Sequence, residues 1–289
     1  MGALGTRRFE RLMETMLSND NLGGLNGSPF SIRDPDRIYL EEYYAQKPGV
    51  NADLASEAEA TREIANRNFE VLGTNASSDD VTFAATTAGL LLQPDGADGD
   101  QVIIAPHLDT NQTAWSGTKW GTENQVQWEC CIRTDAADID DTTIWAGLKL
   151  TNTQAYATDD DQAYFIYGAE DDDAGALTTN ANLHFVYSVG GTDYITDLGI
   201  TVAAATNYRL GIQIDSNRKI SCFVDGEQYN LVQAATAGGA AHGTQKGAVK
   251  SLALTNDIDL IPYVGIMNQA ATQRDMVLYY QKMSRILFE

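Results

Sequence analysis

The sequence predicts an all-β protein, an antiparallel sandwich preceded by a mostly helical N-terminal arm. Hydrophobic and polar residues alternate over residues 208–215 and again over residues 220–224, as in strands that bury one face. Turn-forming residues separate the two segments, and Asp225-Gly226 follows the second, so we expect strands joined by tight turns. A sheet with one solvated face follows from this pattern.

Similar segments recur along most of the chain. Clear alternation or short apolar runs occur at residues 69–72, 81–84, 89–92, 102–104, 125–133, 143–151, 182–189, 192–198, 260–267 and 276–287. Regular short strands with turns between them indicate a sandwich or a barrel. The strand pattern begins near residue 68, so we place the arm at residues 1–67 and the sandwich at residues 68–289.

The arm carries two helix patterns. Apolar residues recur at helical spacing over residues 6–18, with Thr6 as a cap. A second helix is expected from Asp34-Pro35 to Gln46, because proline is favoured at the first helical position. Residues 51–66 are rich in Ala and Glu and are expected to be partly helical. Two alternatives remain open: the helices pack on the sandwich, or they lie along a partner surface.

Charge restricts the partners. The chain has 19 Lys and Arg against 40 Asp and Glu, a net charge of −21. Binding to nucleic acid or to an anionic membrane is therefore not expected, because both need a basic face. The three cysteines, Cys130, Cys131 and Cys222, are too few for a disulfide framework, and Cys130 and Cys222 are predicted to be buried free thiols.

Several segments resemble those of a known fold. Residues 208–215 and 220–226 resemble the central hairpin of concanavalin A-like and laminin G-like jelly rolls. The segments DGDQVIIAPHLDTNQTAW (98–115), TIWAGLKLTNT (143–153), SVGGTDYITDLG (188–199) and LIPYVGI (260–266) are similar to segments of jelly-roll proteins encoded among the structural genes of tailed phages. The resemblance covers residues 68–287 and none of the arm. It implies a jelly-roll virion component.

The expected function is that of a capsid decoration or cement protein, made in the host cytoplasm and placed on the outer surface of the head. Its partners would be the major capsid protein or neighbouring virion subunits, and the protein would be a homo-oligomer. Docking is assigned to basic and apolar residues of the arm: Arg7, Arg8, Phe9, Arg11, Leu12, Met13, Met16, Tyr43 and Tyr44. Deleting residues 1–46 should abolish particle binding and leave the β fold intact. The alternative is a tail-fibre or appendage module that binds host glycans.

Catalysis is not expected. Retaining glycanases of this architecture carry a strand with the pattern Glu-x-Asp-x-x-Glu, and the sequence does not contain it. The comparable strand, residues 125–133, offers only Glu129. The three histidines, His107, His184 and His242, do not stand in a recognisable nucleophile motif.

Two further sites are predicted, each with a structural alternative. No cofactor is required, but Asp159, Asp160 and Asp161 with Asp171, Asp172 and Asp173 offer oxygen ligands for one Ca²⁺, or are solvated acidic loops. Trp115, Trp120 and Tyr194 could stack on a sugar, fill a subunit interface or belong to the core. Trp128 alternates inward and is predicted to be a core residue.

Overall fold

The computed structural model describes residues 37–50, 66–106, 114–115, 118–151, 159–168, 177, 180–235, 240–241 and 249–287. In chain order the strands are β1 (Arg37–Glu42), β2 (Pro48–Val50), β3 (Asn66–Leu72), β4 (Val81–Phe83), β5 (Leu90–Leu92), β6 (Gln101–Pro106), β7 (Ala114–Trp115), β8 (Thr118–Lys119), β9 (Gln127–Thr134), β10 (Thr142–Lys149), β11 (Gln162–Gly168), β12 (Asn182–Val189), β13 (Thr192–Thr201), β14 (Asn207–Ile214), β15 (Ile220–Val224), β16 (Glu227–Tyr229), β17 (Ala240–Ala241), β18 (Ile261–Asn268) and β19 (Met276–Ile286).

Most of these strands form two sheets that enclose one hydrophobic core. Sheet A has the order β16-β15-β14-β9-β19-β5-β4, with β1 also paired to β19, and sheet B has the order β17-β13-β12-β11-β10-β18-β6-β3-β2. Neighbouring strands are antiparallel, apart from the parallel pairs β2–β3 and β13–β17. The predicted all-β antiparallel sandwich is thereby confirmed, and its two packed sheets are consistent with a jelly roll.

The central hairpin places its apolar residues in the core as the alternation predicted. In β14 and β15, Ile212 stands opposite Cys222, and on its other side Ile212 stands opposite Trp128 of β9. All three side chains are fully buried between the sheets. Cys130 and Cys222 are buried free thiols, also as predicted.

The predicted helical arm is wrong over the part that the structure describes. Residues 37–42 form β1, which pairs with β19 over six residue pairs, and residues 48–50 form β2 beside β3. Ile38 and Leu40 fit a strand period of two as well as a helix. These residues form a strand because their backbone pairs with β19, the long closing strand, which is distant in sequence. Of the other predicted helices, residues 6–18 lie outside the described residues, and so do residues 51–66 apart from Asn66, which begins β3.

Helical structure in the described ranges is limited to one 3-10 turn, Thr122–Asn124. None of it is long and apolar enough to cross a membrane.

Two carboxyl groups meet where β9 ends and β19 begins. The Asp135 carboxylate accepts hydrogen bonds from the backbone N–H of Ala137 (2.7 Å) and of Asp275 (3.1 Å). Asp275 is half-buried. Burial raises the pKa of the Asp275 carboxyl above its ordinary value, the nearby Asp135 raises it further, and Arg133 opposes both. Ionised Asp275 therefore weakens the folded state.

Replacing this carboxyl should stabilise the protein. A raised folded-state pKa means that stability is lost as the pH rises through that pKa, so Asp275→Asn should increase the melting temperature at pH 7 by about 1–3 °C. The gain should disappear below the unfolded-state pKa of about 3.9. Asp79→Asn, at an exposed carboxyl, is the control. Calorimetry from pH 3.5 to 7.5 that finds no gain at pH 7, or a gain independent of pH, would contradict this account.

Candidate functional site

The clasp, defined as residues 37–50, joins both sheets of the sandwich. Its first strand, β1, belongs to sheet A and its second, β2, belongs to sheet B. The chain crosses between the sheets at Tyr44, which is 2% exposed. The Tyr44 ring packs edge-on against Phe69 of β3, with the ring centroids 5.6 Å apart. Tyr44 thus anchors the clasp in the hydrophobic core, and Leu40 and Val50 pack against that core.

A chain of buried hydrogen bonds fixes the crossing point. The Trp128 indole Nε1–H donates to Gln281 Oε1 (3.2 Å), and the Gln281 amide Nε2 donates to the Tyr44 hydroxyl (2.6 Å). All three side chains are buried between the sheets. Burial raises the pKa of Tyr44 well above its ordinary value, so the hydroxyl stays protonated at neutral pH. Each of these hydrogen bonds pairs a buried polar group that would destabilise the folded state if it had no partner.

The start of the clasp is held by Arg37. Its guanidinium donates to the backbone carbonyl of Gln125 and to Ser284 Oγ, the latter at 3.3 Å. In the β1–β19 register Arg37 lies opposite Ile286, near the end of the closing strand. Arg37, the residue that follows residues 1–36, is therefore held both by strand pairing with β19 and by its side-chain hydrogen bonds.

Adjacent tyrosines of the clasp have opposite environments. Tyr44 is in the core, whereas Tyr43 is 54% exposed on the outer side of sheet A. The Tyr43 ring packs against Tyr280 of β19 with centroids 5.9 Å apart, and Lys282 Nζ lies 5.4 Å from the Tyr43 centroid. Of the two, only Tyr43 is available to a partner, so the assignment of Tyr44 to docking is wrong: its ring is needed inside.

The outer face of sheet B carries a second group of chemically capable residues. Trp145 of β10 stacks on Tyr263 of β18, with centroids 6.0 Å apart and planes at 25°. Lys149 Nζ lies 4.5 Å from the Tyr263 centroid and 3.9 Å from Asp159 Oδ2. Burial lowers the pKa of Lys149 to about 8, and Asp159 opposes this shift. Near neutral pH such an amine could exchange a proton, yet all four side chains are buried.

A small residue makes room for this stack. Gly265 stands opposite Trp145 in the register, and a Cβ at that position would come within 2.5 Å of the indole. Sequence analysis assigned no role to Trp145, Lys149 or Tyr263. The available signal was a lysine at the end of an otherwise apolar alternation, in residues 143–151.

The first half of the predicted calcium site is already bonded to protein groups. The Asp159 carboxylate accepts hydrogen bonds from the Thr151 backbone N–H and hydroxyl, both at 2.8 Å, besides facing Lys149. Asp161 is buried, Asp160 is exposed, and residues 171–173 lie outside the described residues. Within the described part of the chain, no group of three or more His, Cys, Asp or Glu side chains could hold a metal ion. The calcium site stays a prediction.

The three aromatic residues predicted to face a sugar or a subunit interface do not form one exposed surface. Trp120 is 0% exposed and belongs to the core. Tyr194 stacks on the core residue Tyr187, with centroids 4.7 Å apart and planes at 8°. Trp115 lies in β7, paired with Thr118, and its side chain is outside the described set. Trp120 therefore has no surface left for a ligand.

His184, the histidine among the described residues, lies apart from Glu129. His184 of β12 is fully buried on the outer face of sheet B, with Nδ1 3.0 Å from the Asn182 carbonyl. Glu129 of β9 is buried on the outer face of sheet A, where its Oε1 accepts a hydrogen bond from the Tyr280 hydroxyl at 2.8 Å. Residues 107 and 242 are not among those described. Glu129 and His184 therefore lie on opposite sheets.

The chain matches no protein-family model and no curated protein. Among solved structures it is similar to a protein of unknown function from Shewanella oneidensis MR-1, with 9% identity over 87% of each chain and a TM-score of 0.48. It is also similar to alginate lyase A1-II′ of polysaccharide lyase family 7, with 13% identity over 74% of this chain and 86% of that one (TM-score 0.46). A glycosyl hydrolase family 16 protein from Mycobacterium smegmatis gives 8% identity over 84% and 98% (TM-score 0.48).

These comparisons contradict the expectation that the chain is not an enzyme. An alginate lyase and a glycosyl hydrolase family protein are among the solved structures that share its sandwich. The missing Glu-x-Asp-x-x-Glu pattern bears only on retaining glycanases that use it, and not on catalysis in general. Identities of 8–13% show a common fold alone, so neither activity is carried over to this chain.

The clasp should be sensitive to the loss of one hydroxyl. Tyr44→Phe leaves the Gln281 amide without its acceptor in the core, and should reduce the free energy of unfolding by about 1–3 kcal/mol. Tyr43→Phe, the adjacent and exposed change, should alter it by less than about 0.5 kcal/mol. Urea unfolding of both variants measures the difference. Equal effects would show that the buried hydrogen bonds do not fix the clasp.

Proposed function

We propose that the chain is a structural protein of a tailed-phage virion, a head decoration or cement protein that docks through residues 1–36. The observation that carries this proposal is the clasp. The clasp is bonded to both sheets through β1 and β2. A force applied to residues 1–36 is therefore transmitted to the sandwich core. A docking segment attached in this way can hold a rigid body on a larger surface.

The distribution of charge supports different roles for residues 1–36, here called the docking segment, and for the rest of the chain, here called the body. Residues 1–36 contain four basic and five acidic residues, whereas the rest of the chain contains 15 basic and 35 acidic residues. Acidic bodies repel each other and remain soluble, so attractive contacts are best made by the nearly neutral segment. Its apolar residues Phe9, Leu12, Met13 and Met16 suit a hydrophobic groove.

The resemblance of segments within residues 98–266 to jelly-roll proteins of tailed phages, which rests on the sequence alone, is the second support. The proposed partners are the major capsid protein or neighbouring virion subunits, on the outer surface of the head. A symmetric shell repeats each contact many times, so a homo-oligomer or a regular array could reinforce it with individually weak contacts.

The structure changes the truncation that tests docking. Deleting residues 1–46 would also remove β1 and Tyr44 and would open the core. A loss of binding by that truncation could then result from unfolding instead of from a missing docking segment. A truncation that ends before Arg37 keeps every described contact of the clasp.

Deleting residues 2–36 should separate docking from folding. The truncated protein should melt within about 3 °C of the full chain, since the clasp is intact, but should not sediment with purified phage heads that lack the native protein. The full chain should sediment with the heads, and a body-surface variant such as Asp79→Asn should do so as well. Normal sedimentation of the truncated protein would refute docking through this segment.

A further inference from the structure

We propose that Tyr43, with Glu41 and Lys282, forms a carbohydrate-binding site on the outer side of sheet A, and that a pyranose ring stacks on Tyr43. This site is separate from docking through residues 1–36 and does not depend on it. Large hydrophobic side chains that are exposed among the described residues are few: Tyr43, Phe83, Val249 and Leu287. At Tyr43, two charged groups capable of hydrogen bonding, Glu41 and Lys282, contact the exposed ring.

The backbone presents Tyr43 in a fixed direction. The next residue, Tyr44, has φ of +53°, a left-handed conformation that bulky residues rarely adopt. Burial of the Tyr44 ring and its hydrogen bond from Gln281 hold this conformation in place. As a result the two tyrosine rings point to opposite sides, one to the core and one to solvent. Strained backbone that is held by its surroundings is a recurrent feature of binding sites.

Side-chain contacts also fix the exposed ring. The Tyr43 hydroxyl donates to Glu41 Oε2 at 3.1 Å, and the Tyr280 ring, tilted by 51°, flanks Tyr43. Tyr280 is itself held by its hydrogen bond to Glu129. A ring whose orientation is set before binding loses little freedom when a ligand stacks on it.

The polar groups beside the ring match the hydroxyls of a sugar. Glu41 and Lys282 stand opposite each other in the β1–β19 register, and Lys282 Nζ lies over both Tyr43 (5.4 Å) and Tyr280 (4.8 Å). The ammonium supplies hydrogen-bond donors and the carboxylate supplies acceptors, and a sugar hydroxyl can serve as either partner. Stacking and hydrogen bonding are thus available at one place.

A sugar fits this surface better than a protein does. Protein interfaces of standard size bury about 1,600 Å² in total, and charged residues are depleted from their centres. Here two charged side chains, Glu41 and Lys282, lie directly beside the exposed ring. A pyranose has an apolar face about as large as one tyrosine ring and a polar rim, so it can use the ring and both charges together.

Binding of one sugar ring to one tyrosine should be weak, with a dissociation constant on the order of 1 mM. Many copies on one surface would strengthen it through multivalency. The experiment must therefore display the protein in several copies.

The full-length protein, biotinylated and assembled on streptavidin, should be applied to a printed array of bacterial O-antigen and capsular polysaccharides. We expect retention on at least one polysaccharide, reduced at least tenfold by Tyr43→Ala. Phe83→Ala is the matched control, since Phe83 is also 54% exposed but lies on β4, and it should bind as the unmodified protein does. Retention on no polysaccharide, or equal retention of Tyr43→Ala and Phe83→Ala, would overturn the proposal.

Two further variants protect the test from a folding artefact. Tyr43→Phe keeps the ring and should retain most binding, whereas Lys282→Gln removes the ammonium and should weaken binding with the fold intact. Circular dichroism and melting curves identify any variant that is unfolded. If Tyr43→Ala alone is unfolded, normal binding by Lys282→Gln would still contradict the site.

Discussion

Tyr44 is the residue on which the N-terminal half of this architecture depends. Its ring occupies the core at the point where the chain leaves sheet A for sheet B, and Gln281 connects its hydroxyl to the indole of Trp128. A phenol in this position cannot leave without opening the space between the sheets and exposing unsatisfied polar groups. The same placement leaves the adjacent Tyr43 on the outer side of sheet A, so the core determines where the proposed sugar site lies.

The sequence was informative where one face of a strand is buried and the other is not. In β14 and β15 the alternation of apolar residues identified the inward face: Leu210, Ile212, Cys222 and Val224. A shift of one residue would turn all of these side chains toward solvent. It failed at residues 37–42, where local spacing and Asp34-Pro35 favoured a helix. The contact that decides the structure here is the pairing with β19, whose residues are about 245 positions later in the sequence. The residues around 37–42 do not indicate this pairing.

The candidate sites were less predictable than the fold. Tyr43 and Tyr44 were both predicted to bind a partner, because no local pattern distinguishes two adjacent tyrosines that point in opposite directions. For Trp120 the sequence left a sugar site, a subunit interface and the core as alternatives, and the structure places it in the core. The stack of Trp145, Tyr263 and Lys149 depends on cross-strand register and on the small Gly265, neither of which can be read from local composition.

Location on the virion is the most direct test of the central claim that this protein decorates a phage head. Cryo-electron microscopy of the intact particle, at a resolution that distinguishes the two sheets, would provide it. The account predicts sandwich density on the outer surface of the head, oriented with the Arg37 and Ile286 end of the clasp toward the shell. Density on the tail alone, or a sandwich that touches the shell through its opposite end, would contradict it.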